Sequence, residues 1–428
     1  MSRVVVVGGG IAGLVSAYRL VKSGALVTLY EAAPVVGGMV ARTDLNDVEV
    51  DAGAEAYAIR DGVARALCAE LGLEVAKPLG QSHLWWPDGC YPMGRGPLGL
   101  PDGPEDPALA SLSAAGRQAV VAEASLDPAV GATAHSVGDF VRARLGVEVL
   151  HRLIEPVTMG IYGSPAERLA VEALAPGLTA GLLSEGSLTA AARVLRSRSA
   201  ASVEQPVGGM FRLVNALSAA IIAGGGQILT GTPVTALHRT LHSLAVEGRD
   251  ATLAQTNRVV LAVPASVAVA LLSHLTHGLQ APPVRTTRQV LVAADSKELA
   301  ADPVGSGVLV AEQHGELRAK ALTHYSAKWP WARATGREVL RLSYPQHVFP
   351  TRAEVLHDIA LLTGVGLPDS AVTSLKSISW DALPTRIDPP HRDHLIEVAA
   401  GVGVDLVGAW LDGNGVAPVV AGTLRVLR

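Results

Sequence analysis

The first apolar runs of the chain have the pattern of a βαβ unit. The run Arg3–Val7 is almost entirely valine, and the run Leu26–Tyr30 follows a stretch with helical periodicity. Apolar runs of this length, bounded by glycine turns, are typical of buried strands. The pattern therefore predicts two strands joined by a helix, with Glu31 at the end of the second strand.

Periodicity further along the chain predicts more elements of both kinds. A hairpin turned at Asp88-Gly89 is expected in 82–93, and a helix with Ser136 as its N-cap is expected to follow. Further strands are expected at 227–229, 233–237, 244–246, 259–263 and 339–344, and further helices at 213–222, capped by Gly224-Gly225-Gly226, and from Pro264. No tandem repeat or low-complexity tract interrupts this alternation.

Composition narrows the possible classes of protein. The 428 residues are 49% hydrophobic and 17% charged, with a net charge of −4, which gives no support for nucleic-acid binding. Cys68 and Cys90 are too few for a disulfide framework or a metal site. Because the first strand begins at residue 3 and the longest apolar run, 259–272, contains Pro264, neither a signal peptide nor a membrane span is expected. A cytoplasmic protein is therefore expected.

The turn after the first strand carries the most informative motif. Gly8, Gly10 and Gly13 have the G-x-G-x-x-G spacing of a dinucleotide-binding unit. The first glycine permits a tight turn, the second a close approach to a pyrophosphate, and the third close packing of helix on strand. Glu31 is placed to accept hydrogen bonds from a ribose. The motif predicts an adenine dinucleotide on this part of the chain.

The next segment indicates which dinucleotide is bound. Gly37-Gly38 follows the second strand, and a short strand, 48–51, leads into Ala52-Gly53-Ala54-Glu55-Ala56. This order resembles the FAD-binding amine oxidase and porphyrinogen oxidase superfamily, although an ordinary glycine turn between strands is an alternative. The resemblance implies FAD as cofactor. Since neither cysteine lies near the C-terminus, FAD is expected to be bound non-covalently.

Three blocks identify a narrower resemblance. They are the hairpin Ser82-His83-Leu84-Trp85-Trp86-Pro87-Asp88-Gly89-Cys90-Tyr91-Pro92-Met93, the block Ser136-Val137-Gly138-Asp139-Phe140-Val141-Arg142-Ala143-Arg144-Leu145-Gly146, and the block Glu155-Pro156-Val157-Thr158-Met159-Gly160-Ile161-Tyr162-Gly163. In this order they resemble the oxygen-dependent protoporphyrinogen and coproporphyrinogen oxidases, nearest to the coproporphyrinogen oxidases of Gram-positive bacteria. Segments 320–330, 380–384 and 408–418 fit the same family, so the resemblance covers nearly the whole chain.

The resemblance implies an α/β fold, α+β overall, in which a Rossmann-like FAD-binding domain is interrupted. The expected domains are 1–75 with 205–275 and 401–428 for FAD, a helix-rich insertion at 76–204, and a substrate-binding domain at 276–400. The residues expected to bind FAD come from the glycine turn, the acid, the later glycine segments and the closing motif: Gly8, Gly9, Gly10, Ile11, Ala12, Gly13, Glu31, Ala32, Gly38, Gly53, Ala54, Glu55, Ala56, Val234, Trp380, Gly413, Asn414, Gly415 and Val416.

The expected substrate contacts follow from the same resemblance. Gly160, Ile161 and Tyr162 match the segment that lies over the flavin, where small residues let a macrocycle approach. Possible partners of substrate carboxylates are His83, Arg60, Lys328 and Arg386, although a cation of this kind is more often an ordinary surface side chain and His83 could be a surface residue of the hairpin. No metal site and no side-chain general base are expected, because the hydride chemistry belongs to the flavin.

The implied activity is oxidation of coproporphyrinogen III to coproporphyrin III in haem biosynthesis, with O2 as acceptor and H2O2 as product. Protoporphyrinogen IX oxidation, another flavin amine oxidase or desaturase activity, and a non-catalytic FAD-binding or haem-pathway protein remain open. The sequence departs from the family's usual basic residues at Val35 and Met39, and from its usual residue at Thr385. Transient contact with the next enzyme of the pathway is also an open expectation.

Overall fold

The computed structural model describes residues 2–59, 61–198, 203–276, 278–384 and 387–427, without the side chains of 381–384. Within these ranges the strands are β1 (Arg3–Val7), β2 (Leu26–Tyr30), β3 (Arg42–Leu45), β4 (Val48–Asp51), β5 (Tyr57–Ala58), β6 (Val75–Ala76), β7 (Ser82–Trp86), β8 (Gly89–Pro92), β9 (Val203–Pro206), β10 (Gln227–Leu229), β11 (Ala236–Arg239), β12 (Leu244–Glu247), β13 (Thr252–Thr256), β14 (Arg258–Leu261), β15 (Val284–Ala294), β16 (Gly307–Val310), β17 (Ala321–His324), β18 (Glu338–Tyr344), β19 (Val372–Pro384) and β20 (Val404–Leu406).

The helices of the same ranges are α1 (Ile11–Lys22), α2 (Val63–Glu70), α3 (Ala114–Ala122), α4 (Val137–Val149), α5 (Glu155–Val157), α6 (Val171–Leu174), α7 (Leu178–Glu185), α8 (Leu188–Arg198), α9 (Phe211–Ala223), α10 (Ala265–Leu272), α11 (Lys297–Ala300), α12 (Tyr325–Lys328), α13 (Pro330–Arg333), α14 (Arg352–Thr363), α15 (Pro389–Gly401), α16 (Ala409–Asp412) and α17 (Val416–Val426). Helices and sheets are thus mixed throughout, as the expected fold class requires.

The chain forms two compact units. Unit 1 comprises Met1–Lys77, Val203–Thr287 and Ile378–Arg428, and unit 2 comprises Pro78–Ser202 and Arg288–Ser377. Each unit is therefore assembled from segments that are far apart in sequence. The division into three domains suggested by the sequence remains a prediction.

Unit 1 is organised by a five-stranded parallel sheet with the strand order β10-β2-β1-β14-β20. Successive side chains of β1 point to opposite faces, so Val4 and Val6 join a core with α1, α9 and α17. Val5 and Val7 join a second core with β11, β12 and α10. Burial on both faces explains why β1 is apolar at nearly every position.

Unit 2 contains a seven-stranded mixed sheet with the order β19-β15-β18-β17-β16-β7-β8. One core lies between strands β15, β17 and β18 and helix α14. A second core is formed largely by the helical segment and includes Leu84 of β7 and Phe140 of α4. Ser136 caps α4 as expected, since its hydroxyl accepts from the Asp139 amide at 3.0 Å.

Several expected boundaries are displaced. The hairpin pairs Trp86 with Gly89, so its two-residue turn is Pro87-Asp88 and not Asp88-Gly89. The strand expected at 233–237 is observed as β11, Ala236–Arg239; Pro233 has no N–H to give to a ladder, and residues 236–239 are the ones that pair with β12. By contrast, the glycine cap expected at Gly224-Gly225-Gly226 is confirmed, since Gly225 has a left-handed φ of +87° after Gly224 at −82°.

Candidate functional site

The turn between β1 and α1 requires glycine for steric reasons. Gly8 has φ +100°, and a Cβ at this residue would lie 2.5 Å from the carbonyl oxygen of Ala262. A Cβ at Gly13 would lie 1.9 Å from the carbonyl oxygen of Gly8. These two overlaps show that the chain turns sharply and that α1 packs directly against β1.

Gly10 differs from the other two glycines because the space around it is open. A Cβ at Gly10 would have no heavy atom within 4 Å among the described residues other than Gly10 and its two chain neighbours. Gly10 is also the N-cap of α1, which has no side-chain cap and no acidic residue in its first turn. The amides of Ala12 and Gly13 donate no hydrogen bond to any described residue. The open space and these donors suit a phosphate group.

Glu31 is fixed against this turn by its carboxylate. The Gly9 amide donates to Oε2 at 2.5 Å, and the Ala33 amide donates to Oε1 at 2.7 Å. Each carboxylate oxygen can accept a further bond, so hydroxyl groups of a ribose could still be bound. The neighbouring Ala32, also expected to contact the cofactor, is exposed.

The Gly37-Gly38 pair places a second glycine loop beside the first. The Gly37 amide donates to the Gly9 carbonyl oxygen at 2.8 Å. A Cβ at Gly38 would lie 3.2 Å from the Cα of Gly10, and both loop glycines have positive φ, +123° and +56°. A larger residue at Gly38 would therefore occupy the space that is open above Gly10.

Residues 51–56, here called the strap, lie beside residues 39–41. The Ala52 amide donates to the Ala41 carbonyl oxygen at 2.8 Å, and the Ala54 amide donates to that of Met39 at 2.8 Å. A Cβ at Gly53 would lie 1.9 Å from the Met39 carbonyl oxygen. The strap therefore contains Gly53 because it lies close to residues 39–41. Ala54, Glu55 and Ala56 are half-buried.

Trp380 is brought to the strap from the far end of the sequence. Its Nε1 donates to the Ala52 carbonyl oxygen at 3.1 Å, and its Cζ2 atom would lie 3.3 Å from a Cβ on Gly53. The structure thus places together two of the segments expected to bind FAD.

Asp51 and Gln205 were not among the expected site residues. The buried Asp51 carboxylate accepts from Gln205 Nε2 at 2.6 Å and from the amides of Met210 and Phe211 at 3.0 and 3.2 Å. Asp51 was visible in the sequence only as an acid at the end of a strand. The signal that could have identified it is its position directly before a glycine-containing segment. A buried acid needs several hydrogen-bond donors, so other segments of the chain must pack against it.

The closing motif forms a second open helix start. Gly413 and Gly415 have φ +103° and +117°, and α17 begins at Val416 without a side-chain cap. The amides of Val416 and Ala417 donate no hydrogen bond to any described residue. Val416 and Ala417 share the apolar core of α1, so both helices belong to one packed layer. Asn414 is exposed between the two glycines.

Asp412, the residue before Gly413, links this turn to the end of α17. Burial raises the pKa of Asp412, although the charges of Arg425 and Arg392 oppose the shift. Arg425 donates to Oδ1 of Asp412 at 2.7 Å and so joins α16 to α17. A Cβ on Gly422 would overlap the same carboxylate, at 1.9 Å from its nearest atoms.

Val234 lies just before β11 in an extended segment. Its side chain is half-buried against the core that contains Leu237. Neither its N–H nor its C=O makes a hydrogen bond within the described ranges. The expected backbone contact with an adenine therefore stays a prediction, with the required groups available.

The expected substrate segment lies in unit 2. Gly160, Ile161 and Tyr162 form part of a π-helical turn, Thr158–Tyr162, and all three are exposed. A Cβ at Gly160 would be in ordinary contact with Leu309, at 3.4 Å. Steric exclusion inside unit 2 therefore does not account for glycine at this position.

The four expected carboxylate partners have different surroundings. His83 lies on β7 with Nδ1 3.0 Å from the Val304 carbonyl oxygen, and burial lowers its pKa. One ring nitrogen is therefore taken up by a backbone carbonyl oxygen, and burial disfavours the charged ring that would best pair with a carboxylate. Lys328 is half-buried, with Nζ 5.4 Å from the centre of the Trp329 ring. Arg60 and Arg386 lie outside the described residues.

Among the described residues, no group of three or more His, Cys, Asp or Glu side chains could hold a metal ion. No helix in these ranges is long and apolar enough to cross a membrane.

The sequence is similar to one family model and to several proteins of the same name. The family model described as "Flavin containing amine oxidoreductase" matches residues 11–298, more than half of the chain. The coproporphyrinogen III oxidase of Mycobacterium leprae is 30% identical over 99% of this chain and 97% of its own length. Those of Mycobacterium tuberculosis and Bacillus subtilis are 28% and 26% identical, over 99% and 79% of this chain and 96% and 76% of their own lengths.

Solved structures resemble this chain in fold. A putative protoporphyrinogen oxidase from Exiguobacterium sp. 255-15 superimposes with a TM-score of 0.82 at 22% identity, over 100% of this chain and 98% of that chain. Putrescine oxidase bound to putrescine superimposes with a TM-score of 0.62 at 15% identity, over 100% and 97% of the two chains.

Proposed function

The chain belongs to the flavin containing amine oxidoreductase family, and on this premise we propose that it is a coproporphyrinogen III oxidase. It would convert coproporphyrinogen III to coproporphyrin III in haem biosynthesis. The substrate class comes from relatives that carry this name and align along nearly the whole chain. A porphyrinogen oxidase activity is the part that the family membership and these relatives support directly.

The observation that carries the cofactor proposal is the open space at Gly10. Apart from Gly10 itself and its two chain neighbours, no described residue has a heavy atom within 4 Å of a Cβ built there, although Gly8 and Gly13 are tightly packed. A diphosphate needs such a gap beside free backbone donors. The residues of unit 1 therefore fit an adenine dinucleotide, which for this family is a flavin, and we propose FAD bound without a covalent link.

We assign the cofactor contacts as follows. Gly10 and Gly38 would leave room for the diphosphate, and the amides at the start of α1 would bind its charge. Glu31 would accept hydrogen bonds from a ribose, and the backbone of Val234 would meet the adenine. The strap, Trp380 and the start of α17 would surround the remaining part of the cofactor.

When bound, FAD would supply a two-electron acceptor for hydride. The protein would contribute binding, orientation and exclusion of water, with no side chain required as a general base. Coproporphyrinogen III must lose six hydrogens to become the porphyrin, so three two-electron oxidations are needed. With O2 as final acceptor, each of these oxidations would yield one H2O2.

The substrate contacts are proposed in unit 2. The exposed π-helical turn with Gly160, Ile161 and Tyr162 would face the macrocycle. Among the described cations expected to meet propionates, Lys328 is better suited than His83, whose pKa is lowered by burial. Coproporphyrinogen carries more carboxylates than protoporphyrinogen, so the number of such cations decides between these substrates.

Other activities have weaker support. Protoporphyrinogen IX oxidation is consistent with the fold of the Exiguobacterium protein, and amine oxidation with that of putrescine oxidase, but both likenesses are of fold only. A non-catalytic paralogue is suggested by Val35 and Met39, which stand where the family usually has a basic residue. Val35 is 68% exposed, so no packing role explains it.

The decisive experiment is anaerobic mixing of the purified yellow protein with freshly reduced coproporphyrinogen III. Bleaching of the flavin absorbance, followed by porphyrin fluorescence and H2O2 when air is admitted, is the expected result. Protein-free coproporphyrinogen measures autoxidation, and protoporphyrinogen IX, an amine and a polyene are run in parallel. Bound FAD that is not bleached by coproporphyrinogen would exclude this substrate.

Two further parts of the proposal need separate measurements. Denaturation should release all of the flavin into the supernatant if the link is non-covalent. The cytoplasmic location and a transient contact with the next enzyme of the pathway remain predictions from the sequence.

A further inference from the structure

The strap is tied to one other segment of unit 1 at both of its ends. At its start, the Asp51 carboxylate accepts from Gln205 Nε2 at 2.6 Å. Near its end, the Glu55 carbonyl oxygen accepts from the same Gln205 Nε2 at 2.7 Å. One side-chain amide thus links two residues of the strap to β9, which lies 150 or more positions away in sequence.

The start of α9 completes this arrangement. The amides of Met210 and Phe211 donate to Oδ2 and Oδ1 of Asp51, at 3.0 and 3.2 Å. Both the Asp51 and Gln205 side chains are buried, with 0% of their surface exposed. The positive end of the α9 dipole and three N–H donors therefore stabilise the buried Asp51 carboxylate.

Glu204, which precedes Gln205 in β9, contacts other elements of unit 1. Glu204 accepts from the Tyr57 hydroxyl at 3.3 Å and from Arg65 Nε at 2.8 Å. Its contacts secure β5 and α2, whereas those of Gln205 secure the strap. The two functions can therefore be separated by substitution.

We propose that Asp51 and Gln205 are positioning residues that hold the strap in its cofactor-binding shape before FAD binds. This inference rests on the proposed function, because the contact between the strap and FAD is part of that proposal. Preorganisation lowers the ordering cost of binding, so loss of the clamp should weaken FAD binding and change the surroundings of the flavin. A merely structural role would change stability alone.

The test uses Q205L and D51N, with T256V as the matched control. Thr256 is a buried polar residue of unit 1 whose hydroxyl donates to the Arg3 and Arg258 carbonyl oxygens, away from the strap. Apo and FAD-loaded full-length proteins are compared by thermal unfolding, FAD titration and visible circular dichroism of the bound flavin. If D51N does not fold, Q205L alone provides the test. In Q205L the Asp51 carboxylate still accepts both hydrogen bonds from the amides at the start of α9.

The expected result is FAD binding at least about tenfold weaker in Q205L than in T256V, with an altered flavin dichroism and a similar loss of apo-protein stability. The inference is overturned if FAD affinity and dichroism match the control while only stability falls. Neither readout uses a porphyrinogen. A wild-type protein that binds FAD but leaves coproporphyrinogen unoxidised would therefore refute the proposed activity without affecting the clamp.

Discussion

The Gly9 amide donates to the Glu31 carboxylate at 2.5 Å, so the acid that follows β2 is fixed to the turn that follows β1. This bond joins the two ends of the βαβ unit across 22 positions of sequence. It also sets where the carboxylate can accept further hydrogen bonds. This part of the proposed cofactor site is therefore held by a hydrogen bond within the chain.

Substitution of Gly10 separates cofactor binding from folding. G10A should leave apo-protein stability nearly unchanged, because the added Cβ meets no described atom and the φ of −69° suits alanine. The same methyl would occupy the space proposed for the diphosphate, so FAD binding should weaken at least about tenfold, or by about 1.4 kcal/mol. Flavin fluorescence titration of the apo-protein measures the effect.

G401A provides the control for this substitution, since Gly401 also has no neighbour within 4 Å and no positive φ. Unchanged FAD affinity in G10A would place the diphosphate elsewhere. In contrast, G13A should disrupt the turn itself, because its Cβ would lie 1.9 Å from the Gly8 carbonyl oxygen.

Substitution of Glu31 tests the ribose contact. In E31Q one accepting oxygen becomes an NH2 group, which would face the amide of Gly9 or Ala33. We expect FAD binding about tenfold weaker, because hydrogen bonds to a charged acceptor contribute roughly 1.5–3 kcal/mol. Isothermal titration of the apo-protein measures the change, with E49Q as control, because Glu49 is a half-buried glutamate of the same unit that pairs with Arg42 and Arg212. Equal affinities in the two variants would argue against a role for Glu31.

Glu70 should make stability depend on pH in the acid range. Burial alone would raise the pKa of Glu70, but hydrogen bonds from Lys22, Tyr18 and Arg19 lower this pKa from 4.5 to about 2. The folded state then gains stability above the unfolded pKa and loses it as pH falls from about 4.5 towards 2. Because the carboxylate is partly exposed, we expect the loss to be about 1 kcal/mol.

Urea unfolding at pH 5 and pH 3 measures this dependence. E70Q should show a smaller decrease in the free energy of unfolding between the two pH values than the wild type does. E49Q again serves as control. An identical decrease in wild type and E70Q would show that the link between α1 and α2 contributes nothing to acid sensitivity.

The Glu123–Arg144 pair should be the most sensitive ion pair of unit 2. Both side chains are completely buried, with Arg144 Nε donating to Glu123 Oε1 at 2.8 Å. R144M would leave a buried carboxylate without its cation, which typically costs about 3–5 kcal/mol. R142M, on the same helix but at 44% side-chain exposure, should change stability by less than about 1 kcal/mol. Chemical denaturation of both variants decides the matter, and equal losses would contradict the prediction.

Much of the local structure follows from the sequence because it depends on neighbouring residues. The alternation of Val4 to Val7 between two cores, the Gly8–Gly13 turn and the Ser136 cap all reflect periodicity or short-range bonding. The expected bounds of β11 were shifted because Pro233 cannot donate to a ladder and because pairing with β12, which the apolar pattern does not encode, sets the residues that form the strand.

Sequence alone determined the α/β class, the dinucleotide-type turn, the family and the positions of the glycines, since each is encoded by spacing or by a resemblance in motif. Only the tertiary structure decided that Trp380 bonds to Ala52, 328 positions away, and that Gln205 holds both Asp51 and Glu55. These pairings follow from burial. A polar group removed from water needs a hydrogen-bond partner, and the folding of the whole chain decides which donor or acceptor lies within reach. No local pattern specifies that choice.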